Sequence, residues 1–362
     1  MKTLRVLRVL IAGGGTGGHV IPALAIGREL VAKYGAELCY VGTERGIETR
    51  LVPEAGFRLE LIHVGQLKNV SLKTKLRTLT DLPRGVTRCI ALLREFKPEV
   101  VVGVGGYASG PAMMAAVLLH VPTVAYEPNA APGLANRLVG RFVSAAAVNF
   151  PETVRYFRNA EVTGVPVRQE IFDIPPKHDG PPRLLIFAGS QGARVFNEML
   201  PQIVCGLLQA VPGLTIVHQA GSRHAEATQA AYAASGADAS RWRVCAFLDD
   251  MPAQYAAADL VLCRSGSTVA ELCAAGKPSL LVPFPQAADD HQRKNAEVLA
   301  KAGAAVMRTE AGLTPDDLQQ ELVELLMDPM RLDAMAAKAK AMARPGAVER
   351  IAAMVQLLAR LD

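Results

Sequence analysis

The chain has 362 residues, half of them hydrophobic and 20% charged, which excludes a disordered protein and leaves room for two domains with separate cores. No apolar run reaches the ~18 residues of a membrane-spanning helix, and the first strand begins at once, so neither a membrane span nor a secretory signal peptide is expected. The net charge of +5 is uneven: residues 1–165 hold 20 Lys and Arg against 12 Asp and Glu, and the excess concentrates between Gln66 and Lys97.

Taken in chain order, the first half alternates apolar runs with helix-like segments. Strands are expected at Val6–Ala12, Glu37–Val41, Arg58–His63, Val100–Val104, Thr123–Tyr126 and Ala145–Asn149, with helices such as Ile21–Tyr34 and Gly110–His120 between them. Continuous apolar strands separated by helices imply a parallel sheet covered on both faces. The span 166–182 is rich in Pro and Gly and reads as a linker between an N-terminal domain, 1–165, and a C-terminal domain, 183–340. The second half repeats the alternation, with strands at Leu184–Ala188, Thr215–Gln219, Arg243–Ala246, Leu260–Cys263, Ser279–Val282 and Ala304–Met307. The tail from Thr314 reads as helical, and its last part, 341–362, as a helix that packs back on the N-terminal domain. Six scattered cysteines without metal spacing read as reduced, buried thiols of a cytoplasmic protein.

Each half opens in the same way, with an apolar run, a glycine turn and a helix. The first turn is Gly13-Gly14-Gly15-Thr16-Gly17-Gly18-His19 and the second is Gly189-Ser190-Gln191-Gly192-Ala193. That order aims backbone N–H groups and a helix N-terminus at an anion, usually a phosphate. The spacing of Gly13, Gly15 and Gly18 fits a dinucleotide loop, but His19 follows directly and Val41-Gly42-Thr43 lacks the acidic residue that would bind a ribose. His19 is either an acid–base or phosphate contact, or a helix-start residue with no task. Further along, Gly105-Gly106-Tyr107-Ala108-Ser109-Gly110-Pro111 follows a strand, and Glu127-Pro128-Asn129 ends the next. Glu127 and Asn129 there either project towards a ligand or cap the strand end. In the second half, Arg264-Ser265-Gly266-Ser267-Thr268-Val269-Ala270-Glu271 turns from strand to helix. Ser267 and Thr268 suit a diphosphate and Glu271 a ribose, and the same residues are also helix-capping chemistry. Finally His291-Gln292-Arg293-Lys294-Asn295-Ala296 gathers side chains suited to sugar hydroxyls.

These six motifs, in this order and over nearly the whole chain, closely resemble the MurG family of peptidoglycan N-acetylglucosaminyltransferases. The resemblance implies an α/β fold of GT-B type, two doubly wound Rossmann-like domains with the active site in the cleft between them. It implies inverting transfer of N-acetylglucosamine from UDP-GlcNAc to the C4 hydroxyl of undecaprenyl-pyrophosphoryl-MurNAc-peptide, with UDP-GlcNAc a substrate and no cofactor or metal. Donor contacts would fall on Thr16, Gly17, Gly18, Asn129, Arg168, Ser190, Leu248 (through its backbone), Ser267, Thr268, Glu271 and Gln292. His19 and Glu127 would be the catalytic candidates on the acceptor side, with Tyr107 beside them. Two departures stand out. Val165 occupies a position where the family usually has asparagine, and the Gly266-Ser267-Thr268 turn is one residue short.

The resemblance further implies a peripheral enzyme at the cytoplasmic face of the bacterial inner membrane. Its partners would be anionic membrane lipid and proteins of cell-wall synthesis or division, with no nucleic acid. The segment from Lys68 to Arg94, including Lys73, Lys75, Arg77 and Arg84, intersperses basic residues with leucines at helical intervals. It suits an anionic lipid surface or a solvated helix above an ordinary core face. Two rival functions remain at this stage: a GT-B transferase acting on another lipid acceptor such as diacylglycerol, and a non-catalytic scaffold that binds nucleotide sugars.

Overall fold

The structure, a computed structural model, describes residues 6–64, 72–175 and 180–360; for residues 72–80 it describes the backbone alone. The chain divides into two compact units. One runs to Pro166 and takes back the chain from Gly346, and the other is Val167–Pro345.

The first unit holds a fully parallel seven-stranded sheet in the order β3-β2-β1-β4-β5-β6-β7. Its strands are β1 (Arg8–Ala12), β2 (Glu37–Gly42), β3 (Arg58–Leu61), β4 (Val100–Gly103), β5 (Thr123–Glu127), β6 (Ala145–Val148) and β7 (Ala160–Val162). Its helices are α1 (Gly17–Tyr34), α2 (Glu48–Glu54), α3 (Leu72–Phe96), α4 (Ser109–Leu118) and α5 (Leu134–Val139). β1 and β4 to β6 are buried on both faces, as their continuous apolar sequence requires. Two differences from the sequence expectation have local causes. The first strand starts at Arg8 rather than Val6, because pairing with β2 begins at Arg8↔Glu37 and Val6 is exposed. β7 was not expected, since Ala160–Val162 is too short to show an apolar run and is a strand only because β6 offers its edge.

The C-terminal helix, here α14 (Ala347–Ala359 by chain order), belongs to this same unit. Ile351, Ala352 and Val355 are fully buried in one cluster with Val20, Leu24 and Leu30 of α1. Each such aliphatic side chain contributes about 1.5–3 kcal/mol by leaving water.

The second unit holds six parallel strands in the order β10-β9-β8-β11-β12-β13. They are β8 (Arg183–Phe187), β9 (Thr215–Gln219), β10 (Trp242–Cys245), β11 (Leu260–Cys263), β12 (Ser279–Leu281) and β13 (Ala305–Met307). Its helices are α6 (Gln169–Phe172), α7 (Arg194–Ala210), α8 (Ala225–Ala234), α9 (Met251–Ala257), α10 (Thr268–Ala275), α11 (His291–Lys301), α12 (Pro315–Leu326) and α13 (Pro329–Ala341). The span read as a linker is partly structured: α6 lies in it, Ile171 is fully buried, and Lys340 Nζ donates to Phe172 O and Ala274 O, both at 2.6 Å. Both sheets are wound alike, from the first strand outward on one side and then from its other edge. This is the doubly wound arrangement of nucleotide-binding folds.

Candidate active site

In doubly wound sheets ligands bind beyond the carboxyl ends of the strands, at the point where the winding reverses. In the first unit that point lies between β1 and β4, and the turns leaving these strands meet there. Val104 N donates to Ala12 O at 2.9 Å and Gly14 N to Gly105 O at 3.3 Å. His19 stands in the first turn of α1, with Nδ1 3.4 Å from Thr16 Oγ1. Its imidazole lies against Gly105, where a Cβ would come within 2.9 Å of ring atoms Cδ2 and Nε2 and where φ is +91°. Only glycine admits the ring in that place. Tyr107 is exposed on the same turn.

The first glycine turn does not present its leading amides to a ligand, contrary to the sequence expectation. Gly13 N donates to Val41 O at 3.0 Å, Gly14 N to Gly105 O, and Gly15 N to Glu48 Oε2 at 2.7 Å. What remains are the groups at the start of α1, Thr16, Gly17 and Gly18, where helical geometry supplies no intrahelical acceptor for the first N–H groups.

The sequence left Glu127 either projecting towards a ligand or capping the strand end; the side chain is 2% exposed. Its Oε1 accepts from Asn129 N at 3.1 Å and Asn129 Nδ2 at 3.0 Å, and its Oε2 accepts from Gly133 N at 3.1 Å and Asn136 Nδ2 at 3.0 Å. Burial pushes its carboxyl up, while the bonds from Asn136, Asn129 and Gly133 pull it back down. Both oxygens are engaged in holding the loop that carries Asn129.

In the second unit the winding reverses between β8 and β11. Ser190 is exposed on the turn after β8, and Gln219 at the end of β9 steadies that turn by donating from Nε2 to Gly189 O at 2.9 Å. The turn after β11 is braced more heavily. Arg264 donates to Val282 O and Pro283 O at 2.9 and 3.0 Å, pairs with Glu310 at 2.7 Å, and lies over the rings of Phe196 and Phe284. Ser265, fully buried, donates to Gln292 O at 2.8 Å and accepts from Asn295 Nδ2 at 3.0 Å through its carbonyl. These bonds tie α10 to α11 and leave Ser267 exposed and Thr268 half-buried at the start of α10. Gln292 uses Oε1 to accept from Phe284 N at 3.0 Å, so its amide NH₂ is the group left for a ligand.

Glu271 sits one turn into α10. Its Oε2 accepts from the hydroxyl of the fully buried Tyr255 at 2.9 Å. Burial raises its pKa, opposed by the Tyr255 bond and by the charge of Arg168, which itself pairs with Glu170 at 2.7 Å. Arg168, Tyr255 and Glu271 therefore form one group. The Leu248 side chain is buried, consistent with a contribution through its backbone.

Residues 9–148 match the N-terminal domain and residues 183–351 the C-terminal domain of glycosyltransferase family 28. A protein of Anaeromyxobacter dehalogenans (strain 2CP-1), named UDP-N-acetylglucosamine--N-acetylmuramyl-(pentapeptide) pyrophosphoryl-undecaprenol N-acetylglucosamine transferase, is 44% identical, covering 98% of this chain and 94% of its own. The like-named protein of Solibacter usitatus (strain Ellin6076) is 45% identical, covering 97% and 96%. The chain belongs to this transferase family, MurG. The crystal structure of Acinetobacter baumannii MurG aligns with a TM-score of 0.83 at 33% identity, over 97% of this chain and 99% of that one. The fold is GT-B, and the enzyme transfers N-acetylglucosamine from UDP-N-acetylglucosamine to the lipid-linked N-acetylmuramyl peptide.

Within this MurG framework, several residues that shape the site escaped the sequence reading. Glu48, Tyr255 and Asn136 lie outside every recognised motif, and each bonds a residue 9 to 33 positions away, while Ser265, inside a motif, is tied to Gln292 by a bond the motif does not reveal. Val165 is buried. Of the basic segment, Lys68 lies outside the described residues, as do the side chains of Lys73, Lys75 and Arg77. Along the rest of α3, Val86, Cys89, Leu93 and Phe96 face the core, while Arg84 and Arg88 point outward and pair with Asp81 and Glu60.

Proposed function

We propose that the two units divide one inverting transfer between them, with His19 as the base. In this reading His19 takes the proton of the acceptor C4 hydroxyl. The oxygen forms its bond to the anomeric carbon in line as the bond to UDP breaks, and UDP leaves with the electron pair. The α linkage of the donor becomes β in the product. The observation that carries the assignment is the contrast between the two candidates. The His19 imidazole lies half-buried at the β1/β4 reversal, whereas both Glu127 oxygens are spent within the loop it holds.

The donor is held by the second unit. Ser190, Ser267 and Thr268, together with backbone N–H groups of their turns, take the diphosphate. Glu271 takes the ribose, the Leu248 backbone the uracil edge, and Gln292, with Asn129 and Arg168, the sugar and its linkage. Thr16, Gly17 and Gly18 add further donor contacts, and Tyr107 lines the acceptor side. A radiolabelled transfer assay with a lipid-linked muramyl-peptide tests the base assignment. His19→Ala should lose roughly 10²-fold or more in kcat with little change in UDP binding. Wild-type kcat in that variant would remove His19 from the mechanism.

The enzyme works peripherally at the cytoplasmic face of the membrane, on anionic lipid, alongside proteins of cell-wall synthesis or division. The support is chemical. The acceptor of its relatives carries an undecaprenyl chain, and among the described residues no helix is long and apolar enough to cross a membrane. The first unit carries the basic excess, and it exposes Leu118 on α4, which packs on α3, and Leu134, Leu138 and Phe142 on and after α5, which packs on α4, with Arg137 and Arg141 among them in sequence.

A further inference from the structure

Glu48 opens α2 and is 1% exposed, a carboxylate that the transfer chemistry leaves without a task. It bridges two turns. Oε2 accepts from Gly15 N at 2.7 Å, and Oε1 accepts from Thr43 N at 2.9 Å and Thr43 Oγ1 at 3.1 Å. The space it fills is made by missing side chains: a Cβ on Gly14, Gly42 or Gly46 would come within 2.3, 2.5 and 1.9 Å of its atoms. A buried carboxylate is costly unless strong donors surround it, and these charge-assisted bonds are of that kind. Gly15 leads directly to Thr16, whose carbonyl accepts from His19 N and Val20 N, both at 3.1 Å.

We propose that Glu48 is a positioning residue for the transfer reaction. By clamping Gly15 against the turn after β2, it fixes the path of the chain into α1, and with it the His19 imidazole. The proposal rests on the reading of His19 as the base. Glu48→Gln keeps the size of the side chain but turns a donor towards Gly15 N or Thr43 N, so the clamp opens on one side. Catalysis is sensitive to such shifts, since ~1 Å of misplacement can cost about 10²-fold.

The test is a double-mutant cycle on kcat with a short-chain, water-soluble acceptor analogue. Glu48→Gln should lower kcat about 10- to 100-fold while the KM for UDP-GlcNAc stays within about twofold. On a His19→Ala background the same change should cost less than about twofold, because the group it aims is already gone. Gly46→Ala, which crowds the carboxylate without removing its charge, should reproduce the defect and serves if Glu48→Gln does not fold. Wild-type kcat in either of these variants would overturn the proposal. So would a full, undiminished loss on the His19→Ala background, which would mark Glu48 as a stabilising residue only. Wild-type kcat in His19→Ala alone would instead overturn the base assignment, so the two failures are distinguishable.

Discussion

Glu127 and Glu48 are buried acids and Glu271 a half-buried one, and their hydrogen-bond partners differ. Glu127 is saturated by its own loop and Glu48 by two turns, whereas Glu271 accepts from the Tyr255 hydroxyl through Oε2. Glu271→Ala is therefore expected to raise the KM for UDP-GlcNAc about 10- to 100-fold, the range of a charged hydrogen bond, with a smaller effect on kcat. Steady-state kinetics at saturating acceptor decides it, and an unchanged donor KM would refute the ribose assignment. Another buried residue governs stability against acid. His218 in β9 bonds Tyr232 Oη through Nδ1 at 3.1 Å, and burial drives its pKa down to about 3. The unfolded chain takes up this proton near pH 6.5 and the folded chain does not. The resulting loss of stability begins as pH falls through 6.5 and continues to about 3, at ~1.4 kcal/mol per pH unit. Between pH 6.5 and pH 5 this amounts to about 2 kcal/mol. Urea unfolding at pH 7 and pH 5 should show that slope in wild type and its absence in His218→Gln; equal slopes would mean the site is not sealed from protons.

At the scale of elements, the turns at the strand ends carry the candidate site residues, and their neighbours hold those turns in place. The turns after β1 and β4 touch backbone to backbone, with glycine where a side chain would intervene. The turns after β8 and β11 are braced by Gln219, Arg264, Ser265 and Asn295. α14 is the least expected support, since it lies at the far end of the chain and completes the core beneath α1, the helix that begins at the site. Ile351→Ala should cost about 2–5 kcal/mol of unfolding free energy by leaving a cavity there. Chemical denaturation measures it, and a change below about 1 kcal/mol would mean that α14 is not an integral part of this core.

For the whole molecule, the relevant asymmetry is one of charge. A long hydrocarbon tail leaves a bilayer at a cost of ~0.8 kcal/mol per CH₂, so the enzyme must come to the lipid-linked acceptor. Each Lys or Arg near an anionic surface contributes ~1 kcal/mol, weakened by salt. Along α3 the described apolar residues Val86, Leu93 and Phe96 are used by the core, which leaves its charges outward. Reversing Lys73, Lys75, Arg77 and Arg84 to glutamate should abolish sedimentation with anionic vesicles and spare turnover of a water-soluble acceptor. Undiminished pelleting would move the docking surface elsewhere, with Leu138 and Phe142 the next candidates.

The sequence by itself determined the alternation of strands and helices, the two repeated halves, and the family through its six ordered motifs. Those features are local: apolar runs and glycine turns act over a few residues and can be read in a window. Tertiary structure decided which polar groups are free to act. Glu127 looked available because its bond to Asn136 depends on how α5 returns to β5. The first glycine turn looked open because the acceptor for Gly15 N lies 33 residues on. Glu48 passed unnoticed because a buried carboxylate and an exposed one are the same letter in a sequence, and only packing distinguishes them.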